Sequence, residues 1–173
     1  MDAHTQRGAS LIEVLVSLLL VSVGFLAATA VHWRLVASAE DSRQHADALS
    51  LLEPITQAIQ ANRLQSTGYL TDLKGIGVGT SCPVAGYSAA SRELAAWCTQ
   101  LQQQTAQGLW GARGCVEALS AGRYRVTVAW RGFTATAAPP TSIGCAAHVY
   151  DDSACPDDRC RRVQVMLLQG GSG

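Results

Sequence analysis

From Val14 to Val31 the chain runs eighteen residues without a charge, close to the ~20 that cross a hydrocarbon core as a helix. A segment this apolar limits the fold, because in lipid its backbone polar groups must be paired internally, as a helix pairs them. One acid stands at its front edge, Glu13, in Arg7-Gly8-Ala9-Ser10-Leu11-Ile12-Glu13-Val14-Leu15. An ionised carboxylate at the centre of a membrane helix costs about 2.5–3.5 kcal/mol on insertion scales. An acid in that setting is expected to have a function.

Three readings compete. The simplest is a signal-anchor helix that spans the inner membrane and does nothing more. The second is a removable secretory signal with Arg7 as its basic region and Ala28-Thr29-Ala30 as the cleavage site. Against it, the apolar stretch exceeds the ~7–15 residues of such a signal, which has no use for Glu13. In the third, the chain is cut at the front of the segment, after Gly8, and Glu13 is kept.

The third fits Arg7 to Leu15 best. This stretch resembles the class III signal of type IV pilins and type II secretion pseudopilins, a short charged leader ending in Gly followed by a hydrophobic helix with Glu at its fifth mature position. The leader here is Met1 to Gly8 and the mature chain begins at Ala9, where the family more often has Phe or Met. The resemblance implies cleavage between Gly8 and Ala9, N-methylation of Ala9, and a role for Glu13 in assembly. Electrostatics supports that role. Cleavage frees an α-amino group of reference pKa ~8, at a helix end that already carries partial positive charge. In low dielectric each charge alone is costly, and an opposite charge relieves it. In the family, the Glu of one subunit meets the N-terminus of its neighbour.

Helical patterning continues beyond the membrane segment. Leu35, Ala39, Ala46, Leu49, Leu52, Ile55 and Ile59 recur mostly three or four residues apart. Arg43 and Asp47 form a helix-neighbour pair. The helix is expected from about Ala9 to Ala61 or Asn62, a length of about 80 Å, so its upper half must pack on a C-terminal head. Gly24 is tolerable in a membrane helix, whereas Pro54 should bend the rod or break its hydrogen bonding.

Downstream, Ser66 to Gly86 reads as loop, and its Gly75-Ile76-Gly77-Val78-Gly79 lacks the strand and helix that a nucleotide loop requires. Ser91 to Thr105 reads as a short amphipathic helix with Leu94, Trp97, Cys98 and Leu101 on one face and Ser91 near its N-cap. In residues 122–132, Tyr124, Val126, Val128 and Trp130 alternate with Arg123, Arg125, Thr127, Ala129 and Arg131, the pattern of a half-buried antiparallel strand. Phe133 to Ala137 is expected to return beside it. Arg161 to Leu168 supplies the last strand, before a Gly-rich tail, Gly170 to Gly173, expected to be disordered. The fold class is therefore α+β, with a long N-terminal helix packed on a small antiparallel head. Its divisions are a leader at 1–8, a helix at 9–62 (membrane and assembly part about 9–33) and a head at 63–173.

A second resemblance follows. Trp97 and Leu101, then Tyr124 to Trp130, then Cys160-Arg161-Arg162-Val163 look like the PilV family of type IV pilus modification proteins, minor pilins of the priming complex at the pilus tip. The family's Leu-Pro-Gly turn before the strand is absent. Leu109-Trp110-Gly111 or Leu119 to Gly122 stands in its region.

All six cysteines (Cys82, Cys98, Cys115, Cys145, Cys155 and Cys160) lie after the apolar segment, which points to an oxidising compartment and disulfides. The preferred pairs are Cys82–Cys98 and Cys145–Cys160. Basic residues flank the segment on both sides, so the cysteines rather than the charges place the N-terminus in the cytoplasm and the head in the periplasm. Cys155 to Cys160 lacks the second short motif of a structural zinc site, and Asp151, Asp152, Asp157 and Asp158 lack EF-hand spacing. No cofactor or metal is expected. Lys+Arg and Asp+Glu both number 13, which argues against a nucleic-acid footprint. His4, His32, His45 and His148 are scattered, no Ser-His-Asp or Cys-His constellation is evident, and an enzyme is not expected.

The expectation is a minor pilin of PilV type. Its partners would be a prepilin peptidase/methyltransferase, other minor and major pilins, the inner-membrane assembly platform and, as a further candidate, a tip adhesin. It would reside first in the inner membrane with a single pass and then in a pilus at the cell surface. A minor pseudopilin shares every N-terminal feature. A secreted disulfide-rich binding domain released after Ala30 is the alternative of another class.

Overall fold

The structure, a computed structural model, describes residues 11–104, 108–120 and 122–169. Gly8, Ala9, the leader and the Gly-rich tail lie outside the described residues. Two compact units divide between Ser42 and Arg43.

Helix α1, Leu11–Ala61, contributes to both units. It stays helical through Pro54. The proline ring removes the donor that would reach the Ser50 carbonyl, but Ser50 and Pro54 both lie on the exposed side, where water can take the freed oxygen. The buried stripe of α1 within the second unit is Gln44, Ala48, Leu51, Leu52, Ile55, Thr56 and Ile59. Leu52, Ile55 and Ile59 match the expected stripe, whereas Ala46 and Leu49 are exposed. The true stripe starts from a polar residue, Gln44, which an apolar pattern passes over.

Asn62 ends the helix. Its amide donates to the Ala58 carbonyl at 3.1 Å and to the Tyr69 hydroxyl at 2.9 Å, pinning a 3-10 segment, Arg63–Tyr69. The Tyr69 hydroxyl also bonds the Glu93 carboxylate. Burial, with Glu93 adding to it, pushes the Tyr69 pKa up to about 12.

The head contains strand β1 (Ile76–Gly77), helix α2 (Ala89–Gln103) and strands β2 (Trp110–Ser120), β3 (Arg123–Arg131) and β4 (Arg161–Gln169). The sheet is antiparallel throughout, in the order β1-β2-β3-β4. Ser88 caps α2, its hydroxyl accepting the Ser91 N–H at 3.1 Å, so the helix starts earlier than expected and Ser91 is not its cap. β2 is a strand that the sequence pattern does not announce, and a short strand interrupts the expected loop at Ile76–Gly77. Residues 133–137 form no strand.

One face of the sheet packs on α1 and α2. Val116, Tyr124, Val126, Val128 and Trp130 join Leu52, Ile59, Trp97 and Leu101 in the main core. Trp97 lies over Gly114, where any Cβ would overlap the indole, and its Nε1 donates to the Leu51 carbonyl at 2.9 Å. The other face is not the solvated face expected of it. Thr127 and Ala129 are fully buried there, and Ala129 packs with Cys115, Cys145, Ala146 and Tyr150. The segment between Cys145 and Cys160 thus covers part of the sheet as a second layer.

Candidate functional sites: the N-terminal segment and the cross-linked loop

Glu13 lies in the first turn of α1, where a carboxylate is favoured by the helix dipole. With Val14, Ser17, Leu18 and Val21 it lines one shallow groove along the helix. Four polar side chains occur between Leu11 and Val31. Three turn back onto the helix: Ser17 donates to the Glu13 carbonyl at 2.7 Å, Ser22 to Leu18 at 2.7 Å, and Thr29 to Leu26 at 2.9 Å. These bonds suit hydrocarbon, which supplies no partner. Among the described residues, the fourth polar side chain, the Glu13 carboxylate, meets no partner. It is thus the acceptor that this stretch leaves for a group outside it.

Along this part of α1 the apolar side chains are bare, with Leu11, Leu15, Leu19, Phe25 and Leu26 all more than half exposed. By length and composition α1 can cross a membrane, with a mean hydropathy of 2.5 over its apolar window and none of that window buried.

In the head, all six cysteines are bonded, as Cys82–Cys98, Cys115–Cys145 and Cys155–Cys160. The expected Cys145–Cys160 pair is wrong. Cys145 lies against β2, where Cys115 faces the second layer, while Cys160 closes a short loop with Cys155 just before β4. With these sulfurs bonded to each other, the 155–160 stretch holds no thiolate to ligate zinc.

The same loop gathers His148, Asp151 and Asp158, whose ligand atoms lie within 4.8 Å of one another. The aspartates stand out in the sequence, but their convergence with His148 follows no regular spacing. Asp158 accepts the His148 backbone N–H at 2.7 Å and pairs with Arg161 Nη2 at 3.2 Å. Asp151 accepts the Asp158 N–H at 2.7 Å and meets His148 Nδ1 at 2.7 Å. The Arg161 guanidinium, 2% exposed, also donates from Nη1 to the carbonyls of Ile143 and Cys145 at 2.7 and 2.9 Å. The loop therefore carries its own buried cation, and the acids have its charge and the surrounding N–H donors to satisfy them. The hydrogen bond to Asp151, then the charge of Asp158, raises the His148 pKa, while Asp151 and Asp152 are held below the usual carboxylate range by His148 and Arg131 respectively. Ala146, His148, Asp157 and Asp158 all have φ between 54° and 61°, each costing on the order of 1 kcal/mol, so the cross-links hold a loop that would not adopt this path alone.

A long helix that is bare and apolar at its N-terminal end, followed by a small antiparallel sheet, is the α+β architecture of pilin-like proteins. Residues 3–29 match the family described as the prokaryotic N-terminal methylation motif. The match is confined to this N-terminal stretch, which supports a type IV pilin-like or pseudopilin-like segment of the kind that a prepilin peptidase processes and that assembles with other pilins. The motif and the apolar helix together fit membrane anchoring. No curated protein and no solved structure matches the chain.

Proposed function

We propose that the protein is a minor pilin of PilV type, a structural subunit rather than an enzyme, cut between Gly8 and Ala9 and built into the priming complex of a type IV pilus. The observation that carries this reading is Glu13, without a partner among the described residues, in the first turn of an apolar stretch whose other polar side chains bond back to the helix, inside the segment that matches the methylation motif. In a bundle of such helices its carboxylate neutralises the new ammonium at Ala9 of a neighbour. The disulfide-bonded head then faces the oxidising side, where cross-links form and persist.

Glu13→Gln tests this by keeping shape while removing charge. Leader cleavage and membrane insertion should continue. Recovery in sheared pili should fall at least about tenfold, since an unpaired buried charge costs roughly 3–5 kcal/mol. Recovery of the Gln variant at the native level would remove the assembly role of Glu13.

A further inference from the structure

The two edges of the sheet are built differently. Along β2, Gly114 pairs with Ile76 and the Ala112 carbonyl accepts the Val78 N–H at 2.9 Å. Val116 exchanges bonds with Thr71, its carbonyl accepting the Thr71 N–H at 3.0 Å and its N–H donating to Thr71 Oγ1 at 2.9 Å. β2 also shifts register between Trp110 and Arg113 and between Ala118 and Ser120. Short cover and bulges are the usual guards of an edge.

β4 has no such guard. It pairs with β3 in unbroken register from Arg161↔Arg131 to Gln169↔Arg123. The bond from Gly132 N–H to the Cys160 carbonyl, at 2.8 Å, sets the phase of the ladder. By the alternation of an antiparallel pair, Arg162, Gln164, Met166 and Leu168 turn their backbone groups toward β3. Arg161, Val163, Val165, Leu167 and Gln169 turn theirs outward. The Arg161 N–H is taken by the Asp158 carbonyl at 2.9 Å. Among the described residues, no segment pairs with the other four. Val163 to Gln169 contains no charge and no proline, and Leu167 is 68% exposed.

We propose that the outer edge of β4 receives a strand from another subunit, extending the sheet from four strands to five. The incoming strand is neutral, because a charge laid along Val163 to Gln169 would lose water and find no counter-charge. It carries aliphatic or β-branched residues on the face of Val163, Val165 and Leu167, where cross-strand neighbours of that kind pack. A second copy of this chain is the competing occupant, and it is told apart by the dependence of protection on protein concentration. The inference rests on the assembled-subunit reading above and assigns that subunit a contact.

Amide hydrogen exchange on the full chain in detergent micelles tests it, with a blocked seven-residue peptide of alternating threonine and valine as the probe. Without peptide, the outward amides of Val163, Val165 and Leu167 should exchange at least about a hundredfold faster than the inward amides of Gln164, Met166 and Leu168. Saturating peptide should slow the outward set at least about tenfold. Val165→Pro removes an outward donor that the β3 ladder does not use, and should abolish that slowing. Val165→Lys keeps the donor but places a charge on the edge, and should weaken peptide binding at least about tenfold if the proline variant misfolds. Outward amides that stay fast with peptide, a Lys variant that binds like the native chain, or protection that grows with protein concentration alone would each overturn the proposal, the last by making a second copy the occupant. Native chain missing from sheared pili while the peptide still protects the edge would count against the pilin reading alone.

Discussion

The indole Nε1 of Trp130 donates to Oε1 of Gln44 at 3.0 Å, and the Gln44 side-chain nitrogen donates onward to the Gly108 carbonyl at 3.0 Å. Trp130 and Gln44 are both buried, so one amide satisfies two groups that could not otherwise lie against the helix. Gln44→Leu matches the volume but strands the indole N–H and a carbonyl. The expected loss is about 2–4 kcal/mol of head stability, read from the urea midpoint of the tryptophan signal. A shift within about 0.5 kcal/mol would mean that water or a rearranged neighbour replaces the amide.

The cross-links should rank by the loop each closes. Replacing Cys115 and Cys145, 30 residues apart, by Ser should cost about 3–4 kcal/mol. Replacing Cys155 and Cys160, 5 apart, should cost about 2 kcal/mol. Non-reducing peptide mapping should recover Cys115 linked to Cys145, and a Cys145–Cys160 peptide would contradict the second layer as described.

The His148–Asp151 contact has a definite sign in pH. The His148 pKa is raised in the folded protein and that of Asp151 is lowered. The stability contributed by the pair is complete where both groups carry charge even when unfolded, between about pH 4 and 6.5. It is lost as pH rises through the folded pKa of His148, and lost again as pH falls through that of Asp151. Titration of the imidazole by NMR should give a midpoint above the ordinary 6.5, and Asp151→Asn should bring it down. An unchanged midpoint in the Asn variant would remove Asp151 as the cause.

What could be read beforehand follows from where side-chain volume sits. β3 announced itself because Tyr124, Val126, Val128 and Trp130 are large and alternate. β2 did not, because its core-facing positions include the small Ala112 and Gly114, the latter without a Cβ so that Trp97 can lie against the backbone. Thr127 and Ala129 suggested a solvated face, since nothing in their own strand tells that Tyr150, more than twenty residues on in the chain, folds back to bond the Gly111 and Ala129 carbonyls at 2.8 and 3.2 Å. The partner of Cys145 was hidden for the same reason. Pairing of a cysteine depends on which strand its loop crosses, and that strand was the one missed. Glu13 stands out in the sequence because an acid at the edge of a hydrocarbon-length helix is costly wherever the helix goes.

The most direct measurement is the mature N-terminus. The chain co-expressed with a prepilin peptidase, extracted from membranes and measured by intact mass and N-terminal sequencing, should begin at an N-methylated Ala9 with all six cysteines oxidised. Gly8→Val should leave the leader attached. A native chain that starts at Val31, or that keeps Met1 to Gly8 in the presence of the peptidase, would contradict the account.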